Sequence, residues 1–181
     1  MLTRQIRFSL LVLLLGVVVS PAALDAASVA GGPHVRALDD RVRELLHVGS
    51  RQSRTFHDLM DSLEGSNVIV YIEARPIPER RFSGTTRLVV QAGGVRYVRI
   101  RVTLRSSVRQ NIALLAHELQ HAREMAWASW VVDAETCAAL YRTIGFATCA
   151  DHACYDTRDA IRVGYRVLAE LAEVTHVAAA R

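Results

Sequence analysis

Apolar positions change their period along this chain, and the changes mark its elements. Val35, Leu38, Val42, Leu45 and Leu46 recur three and four residues apart, which predicts a first helix with Gly49 as its stop. A second helix is predicted from about Ser53 to Leu63, closed by Gly65. The period then shortens. Val68 to Ala74 is rich in β-branched residues and ends at Pro76 and Pro78, as a strand would. Thr86 to Gln91 reads as a second strand, and Gly93-Gly94 as a hairpin turn. From Val95 to Leu104 the chain alternates strictly. Val98, Ile100, Val102 and Leu104 fall on one face, and Tyr97, Arg99, Arg101, Thr103 and Arg105 on the other.

The remainder reads as helical. Ser106 or Ser107 can cap a helix over about 107–126, and Asp133 a second one that closes at Gly145. A third starts near Asp156 and runs to about Val174. Two helices, a small antiparallel sheet and three more helices predict an α+β domain.

The first thirty residues stand apart. Arg4 and Arg7 precede an almost unbroken apolar run from Phe8 to Ser20, and small residues follow. That order is the signature of a secretory signal peptide over residues 1–30, with cleavage near Ala26 or Ala30. The apolar run is shorter than the ~20 residues of a membrane span, so a membrane role is expected only if the segment stays uncleaved. The expectation is an exported protein, periplasmic or secreted, with one domain over residues 31–181.

Charge adds little. The net charge is +4 and all 22 basic residues are arginine, a bias that codon usage explains without function. The arginines are dispersed, whereas nucleic-acid binding needs a concentrated stripe, so no nucleic-acid partner is expected. Arg96, Arg99, Arg101 and Arg105 come nearest to one. Arg99, Arg101 and Arg105, on one face, read as the solvated face of a strand, or more sharply as a rim for an acidic ligand. Of the three cysteines, Cys149 and Cys154 flank a short loop and are the expected disulfide, which leaves Cys137 free on a helix. Trp127, Trp130, Tyr155 and Tyr165 read as packing residues.

The chemistry lies in Ala116-His117-Glu118-Leu119-Gln120-His121-Ala122. Residues four apart on a helix lie one above the other, so His117 and His121 can place two imidazole nitrogens on one ion. Glu118 is then placed to take a proton from a metal-activated water. Ile112, Leu115, Leu119, Ala122 and Ala126 form an apolar stripe roughly opposite the histidines, so one face would bury while the other meets a cleft.

This HELQH helix, with a strand before it and an acidic helix after it, resembles the zincin metallopeptidases, nearest the gluzincin arrangement. It also resembles small exported bacterial proteins with a HELQHA motif. The resemblance covers about residues 95–170, and within it HExxH is the specific part. It implies a zincin-like domain, a Zn2+ cofactor and a peptide or protein substrate. It also implies that the strand before the active helix, Val95 to Leu104, binds peptide by adding a strand. No glycine and third histidine follow His121 as the metzincin branch requires.

A catalytic zinc site needs a third protein ligand. Asp156 is the first choice, since its distance along the chain leaves room for a connecting helix and a return. Glu135, Asp133 and Glu124 are the alternatives, although Asp133 suits a helix cap and Glu124 would strain to reach the same ion. Cys149, Asp151, His152 and Cys154 form a cluster without common zinc spacing. The expected function is zinc-dependent peptide hydrolysis outside the cytoplasm, with Glu118 as general base. The alternative is a non-catalytic, metal-stabilised envelope interaction module with four protein ligands.

Overall fold

The computed structural model describes residues 32–77, 83–150 and 154–179. The signal-peptide reading of residues 1–30 lies outside them, as do Pro78, Asp151, His152 and the side chain of His176.

The first helix starts later than its apolar spacing suggests. Val35 belongs to a short strand, β1 (Val35–Ala37), and Leu38 is exposed. Helix α1 (Asp40–Gln52) follows Asp39, whose carboxylate accepts from the Val42 amide at 2.9 Å and from the Ala74 amide at 2.9 Å. One aspartate thus caps the helix and ties it to the sheet. Gly49 does not stop α1 but lies inside it. A Cβ there would sit 2.9 Å from Ile112 Cγ2 and 3.1 Å from the Phe56 ring, so glycine lets α1 approach its neighbours closely. Ser53 ends the helix by turning extended, and its hydroxyl caps α2 (Arg54–Glu64).

Strands β2 (Val68–Ala74), β3 (Gly84–Ala92) and β4 (Val95–Val102) complete a four-stranded sheet in the order β1-β2-β4-β3. The hairpin at Gly93 (φ 57°) and Gly94 (φ 76°) makes β3 and β4 antiparallel, as the left-handed turn requires. The expected antiparallel sheet is nevertheless corrected to a mixed one. β1 runs parallel to β2, and β2 parallel to β4. The crossover from β1 to β2 passes through α1 and α2, a βαβ arrangement hidden because β1 is only three residues long.

The topology also moves a predicted role. β4 is hydrogen-bonded on both sides, so it has no edge on which a peptide could add. β3 is the edge strand on that side, and the expectation for Val95 to Leu104 passes to it. β4 ends at Val102, two residues earlier than its alternation suggests.

Arg96 stands apart from the other arginines of β4. It shares the core face with Val98, Ile100 and Val102 and is 1% exposed. Its guanidinium donates to the carbonyls of Met125 (2.5 Å), Ala128 (2.8 Å) and Ala126 (3.0 Å), and to Asn67 Oδ1 (2.6 Å). Those carbonyls end α3 (Val108–Trp127), so a buried cation satisfies the negative end of that helix.

Helix α3 is capped by Ser107 and covered almost all round. Ile112, Leu115, Leu119 and Ala122 pack in the core with β4, α1 and α2, as the apolar stripe predicts. The far side lies under α4 (Ala134–Ile144) and α5 (Arg158–Ala179). Between these two helices a small ladder pairs β5 (Phe146–Ala147) with β6 (Tyr155–Asp156). Asp133 caps α4 in a reciprocal box with Thr136, and Thr157 caps α5. Asp156 therefore sits just outside the helix it was expected to open. Trp127 (66% exposed), Trp130 (52%) and Tyr165 (71%) are not core residues, which corrects their packing assignment. Among the described residues no helix is long and apolar enough to cross a membrane.

Candidate metal centre

Two elements bring the three predicted ligands together. Helix α3 carries His117 and His121 one turn apart, with their rings edge to face at 5.0 Å. β6 carries Asp156, which the β5–β6 ladder turns towards α3. Two contacts set that approach. Gly145, between α4 and β5, leaves room for the Asp156 carbonyl, which a Cβ would meet at 2.7 Å. Gly164 on α5 lets the helix lie close to α3 just before the motif, where a Cβ would come 3.3 Å from the Ala113 carbonyl. The Cys149–Cys154 disulfide closes the loop two residues before Asp156, as the cysteine spacing predicts.

The resulting distances suit one ion. Asp156 Oδ1 lies 3.3 Å from His117 Nε2 and 3.4 Å from His121 Nε2. Donors at ~2.0–2.1 Å in tetrahedral array around zinc are about 3.3 Å apart. All three ligand atoms lie within 4.8 Å of one another, and among the described residues no fourth His, Cys, Asp or Glu joins this group.

The surroundings of His121 decide which nitrogen faces the site. Its Nδ1 lies 3.0 Å from Glu124 Oε2, and a carboxylate there requires Nδ1 to carry the proton. In a neutral ring, Nε2 then points a lone pair at the Asp156 carboxylate, an arrangement that calls for a proton or a cation between them. Burial alone would lower the His121 pKa. The hydrogen bonds to Asp156 and Glu124, with the charges of Glu118 and Glu124, outweigh it and raise the value to about 9. Asp156 shows the complement. Despite a burial penalty, its bonds to the two histidines hold its carboxyl well below the usual carboxylate range.

Comparison of the chain with family models, with curated proteins and with solved structures finds no match.

Glu118 is also buried beside the ligands. Its Oε2 accepts from Thr86 Oγ1 at 2.6 Å, and Thr86 Oγ1 lies 3.1 Å from the Glu118 carbonyl. Thr86 is on β3, so the edge strand directly holds the candidate base. A Cβ at Gly84 would overlap the same carboxyl, 2.6 Å from its Cδ. Burial pushes the Glu118 carboxyl above its ordinary range, against the pull of His121, His117 and the Thr86 hydrogen bond. A carboxylate whose pKa is raised is a stronger base, suited to taking up a proton and passing it on.

The alternative ligands are accounted for elsewhere. Glu124 is spent on His121 Nδ1 and on Thr157 Oγ1 (2.7 Å). Asp133 caps α4, and Glu135 is exposed on the first turn of that helix. Tyr141 donates to the His121 carbonyl at 3.0 Å and stands edge-on to its ring. Tyr155 lines the cleft beside Asp156.

The site opens onto a cleft of about 1280 Å³ between β3, α3, α4 and α5. Thr86, Gly84, Gly164 and Tyr141 line it, and Thr157 supports it from behind through Glu124. None has a sequence signal, because each earns its place through a contact with a residue far away in the chain.

Proposed function

We propose that the protein is a zinc-dependent metallopeptidase, with His117, His121 and Asp156 as the metal ligands and Glu118 as the general base. The observation that carries this reading is the approach of Asp156 Oδ1 to both Nε2 atoms at 3.3 and 3.4 Å, beside a buried carboxylate. Three protein ligands leave one position of a tetrahedral ion for water or substrate, which favours catalysis over a closed structural site. A zinc ion held there supplies Lewis acidity, both to a peptide carbonyl and to a water.

The chain's own residues supply the rest. Glu124 holds His121 in the tautomer that presents Nε2. Thr86 fixes the Glu118 carboxylate at the floor of the cleft, where it takes a proton from the attacking water and delivers it to the departing amine. The outer edge of β3, engaged by Cys137 at Leu88, offers its remaining backbone groups to an extended substrate, which would pair as an added strand. The signal-peptide pattern over residues 1–30 supports an activity outside the cytoplasm, and a disulfide beside the site is in keeping with it.

Elemental analysis of the purified protein tests the metal directly. One zinc per chain is expected, lost in a His117→Ala/His121→Ala variant. A folded wild type that takes up no zinc after reconstitution would reject the reading. Glu118→Gln should keep zinc and lose peptide hydrolysis. Undiminished hydrolysis in that variant would remove Glu118 as the base.

A further inference from the structure

The face of the sheet turned away from α3 carries an imbalance of charge at the edge where a substrate would add. Register places Arg87 of β3 directly opposite Arg99 of β4, and Thr85 opposite Arg101. The same rung continues through Tyr71 of β2 to Arg36 of β1. Within the described strands this face holds Arg36, Arg87, Arg99 and Arg101 against one carboxylate, Glu73. That carboxylate is already engaged by Arg101 at 2.5 Å and by Arg75 at 3.2 Å. Arg36 stacks over the Tyr71 ring and donates to its hydroxyl at 2.9 Å. Arg87 and Arg99 are exposed, like charges side by side; Arg99 also feels the charge of Glu73, and Arg87 forms no ion pair among the described residues. Like charges directly opposite on a sheet repel, so this pair is an unfavourable feature of the free protein.

The position of the pair gives it meaning. Arg87 follows Thr86, whose hydroxyl holds Glu118, so the basic pair flanks the rung of β3 nearest the candidate base. An added strand lies about 4.8 Å from β3 and sends alternate side chains to each face of the sheet. Those on the face of Arg87 meet an unneutralised guanidinium. The cleft itself repeats the sign. Besides Glu118, Asp156 and the two histidines, Arg105 and Arg142 line it together with Arg87. Arg105 donates to Ser83 Oγ at 2.6 Å, and neither it nor Arg142 forms an ion pair among the described residues.

We infer that the substrate is an acidic peptide segment, bound in extended form along β3 with Asp or Glu side chains seated against Arg87 and Arg99. This rests on the peptidase reading for the chemistry, but binding can be measured apart from turnover. Three labelled peptides of identical length would carry Glu, Gln or Lys at every second position. Their binding to zinc-loaded Glu118→Gln protein is followed by fluorescence anisotropy. The Glu peptide should bind about tenfold more tightly than the Lys peptide at low salt, with the gap closing at high salt. An Arg87→Glu/Arg99→Glu variant should reverse the order. Both residues are exposed, and circular dichroism checks that the variant is folded. Equal binding of the three peptides, or an order unchanged in the variant, would overturn the inference. Hydrolysis of the Gln peptide by the wild type is read separately. Its absence would count against the peptidase reading and leave the charge preference to be judged on binding.

Discussion

Glu124 Oε2 lies 3.0 Å from His121 Nδ1, and the other oxygen of the same carboxylate accepts from Thr157 Oγ1 at 2.7 Å. One buried side chain therefore joins the second histidine of the motif to the residue next to Asp156. The carboxylate orients the ring, and the threonine ties that orientation to the third ligand's position. Replacing Glu124 by alanine should lower zinc affinity about 10–100-fold, the usual cost of losing a histidine's outer partner. Glu124→Gln, which keeps an acceptor oxygen, should lose less. A competition titration with a chelator measures both. Equal affinity in wild type and Glu124→Ala would show that the contact does not support the metal.

Gly84 permits a different contact. A Cβ at this position would overlap the Glu118 carboxyl and the edge strand cannot easily retreat, since it is held by β4 in register. Gly84→Ala should therefore displace Glu118 while leaving His117, His121 and Asp156 in place. Peptide hydrolysis should fall by at least about 100-fold, the typical worth of a positioned general base, with zinc content unchanged. Full activity in this variant would mean that the observed seat of Glu118 is not its working position.

Protons and metal compete for His121. In the metal-free protein its pKa is raised to about 9 from an ordinary 6.5. A raised folded value stabilises the fold fully below 6.5, and that contribution is lost as pH rises through about 9. Zinc needs the same nitrogen unprotonated, so its affinity should climb across this window and flatten above it. Thermal melts with and without zinc should thus diverge. The metal-free protein should become less stable from pH 6.5 to 9, while the increment from zinc grows. Parallel curves would show that His121 does not titrate in this range.

The sequence made the site's chemistry legible where it rests on helical spacing. His117, Glu118 and His121 are one turn of one helix, so no knowledge of the fold is needed to group them. Asp156 was reachable because few carboxylates lie at a suitable distance beyond α3. The structure brings it to both histidines, although in a strand rather than at a helix start. The errors share a cause. Val35 fits a helical period and a β1 position equally well, since three residues cannot show which period they follow. Gly49 looks like a stop because local rules penalise glycine inside helices, and only the nearness of Ile112 and Phe56 reveals its packing role. Arg96 looks like its neighbours Arg99 and Arg101, yet it alone has the core parity of β4. That parity was readable, but the carbonyls that make a buried arginine tolerable come from the end of α3 and the residues just beyond it.

Arg96 accordingly yields a stability prediction. Truncation to alanine would leave the carbonyls of Met125, Ala126 and Ala128 without their buried donor, and Asn67 without its partner. The expected cost is about 3 kcal/mol, within the range for breaking a buried charge network. The motif lies further up the same helix, so zinc affinity measured in the folded fraction should change much less than stability. Denaturant unfolding gives the first quantity and chelator competition the second. A loss below about 0.5 kcal/mol would show that the guanidinium is dispensable as the helix's terminal donor.

The Cys149–Cys154 disulfide should act on the metal through Asp156. It joins cysteines 5 positions apart in the chain, and β6 begins directly after it. Cross-linking a loop this short stabilises by ~2 kcal/mol, mainly by restricting the open chain. Here the restricted chain is the segment that presents the third ligand, while His117 and His121 stand on a helix anchored independently in the core. Cys149→Ser/Cys154→Ser should therefore lower zinc affinity about tenfold, with the two-histidine part of the site intact. Reduction of the wild type with a phosphine, chosen because it does not bind zinc as thiols do, should produce the same loss. An Asp156→Ala variant provides the control, since removal of the disulfide should weaken its residual zinc binding no further. If both effects instead add in full, the disulfide stabilises the domain at large and does not act through the third ligand.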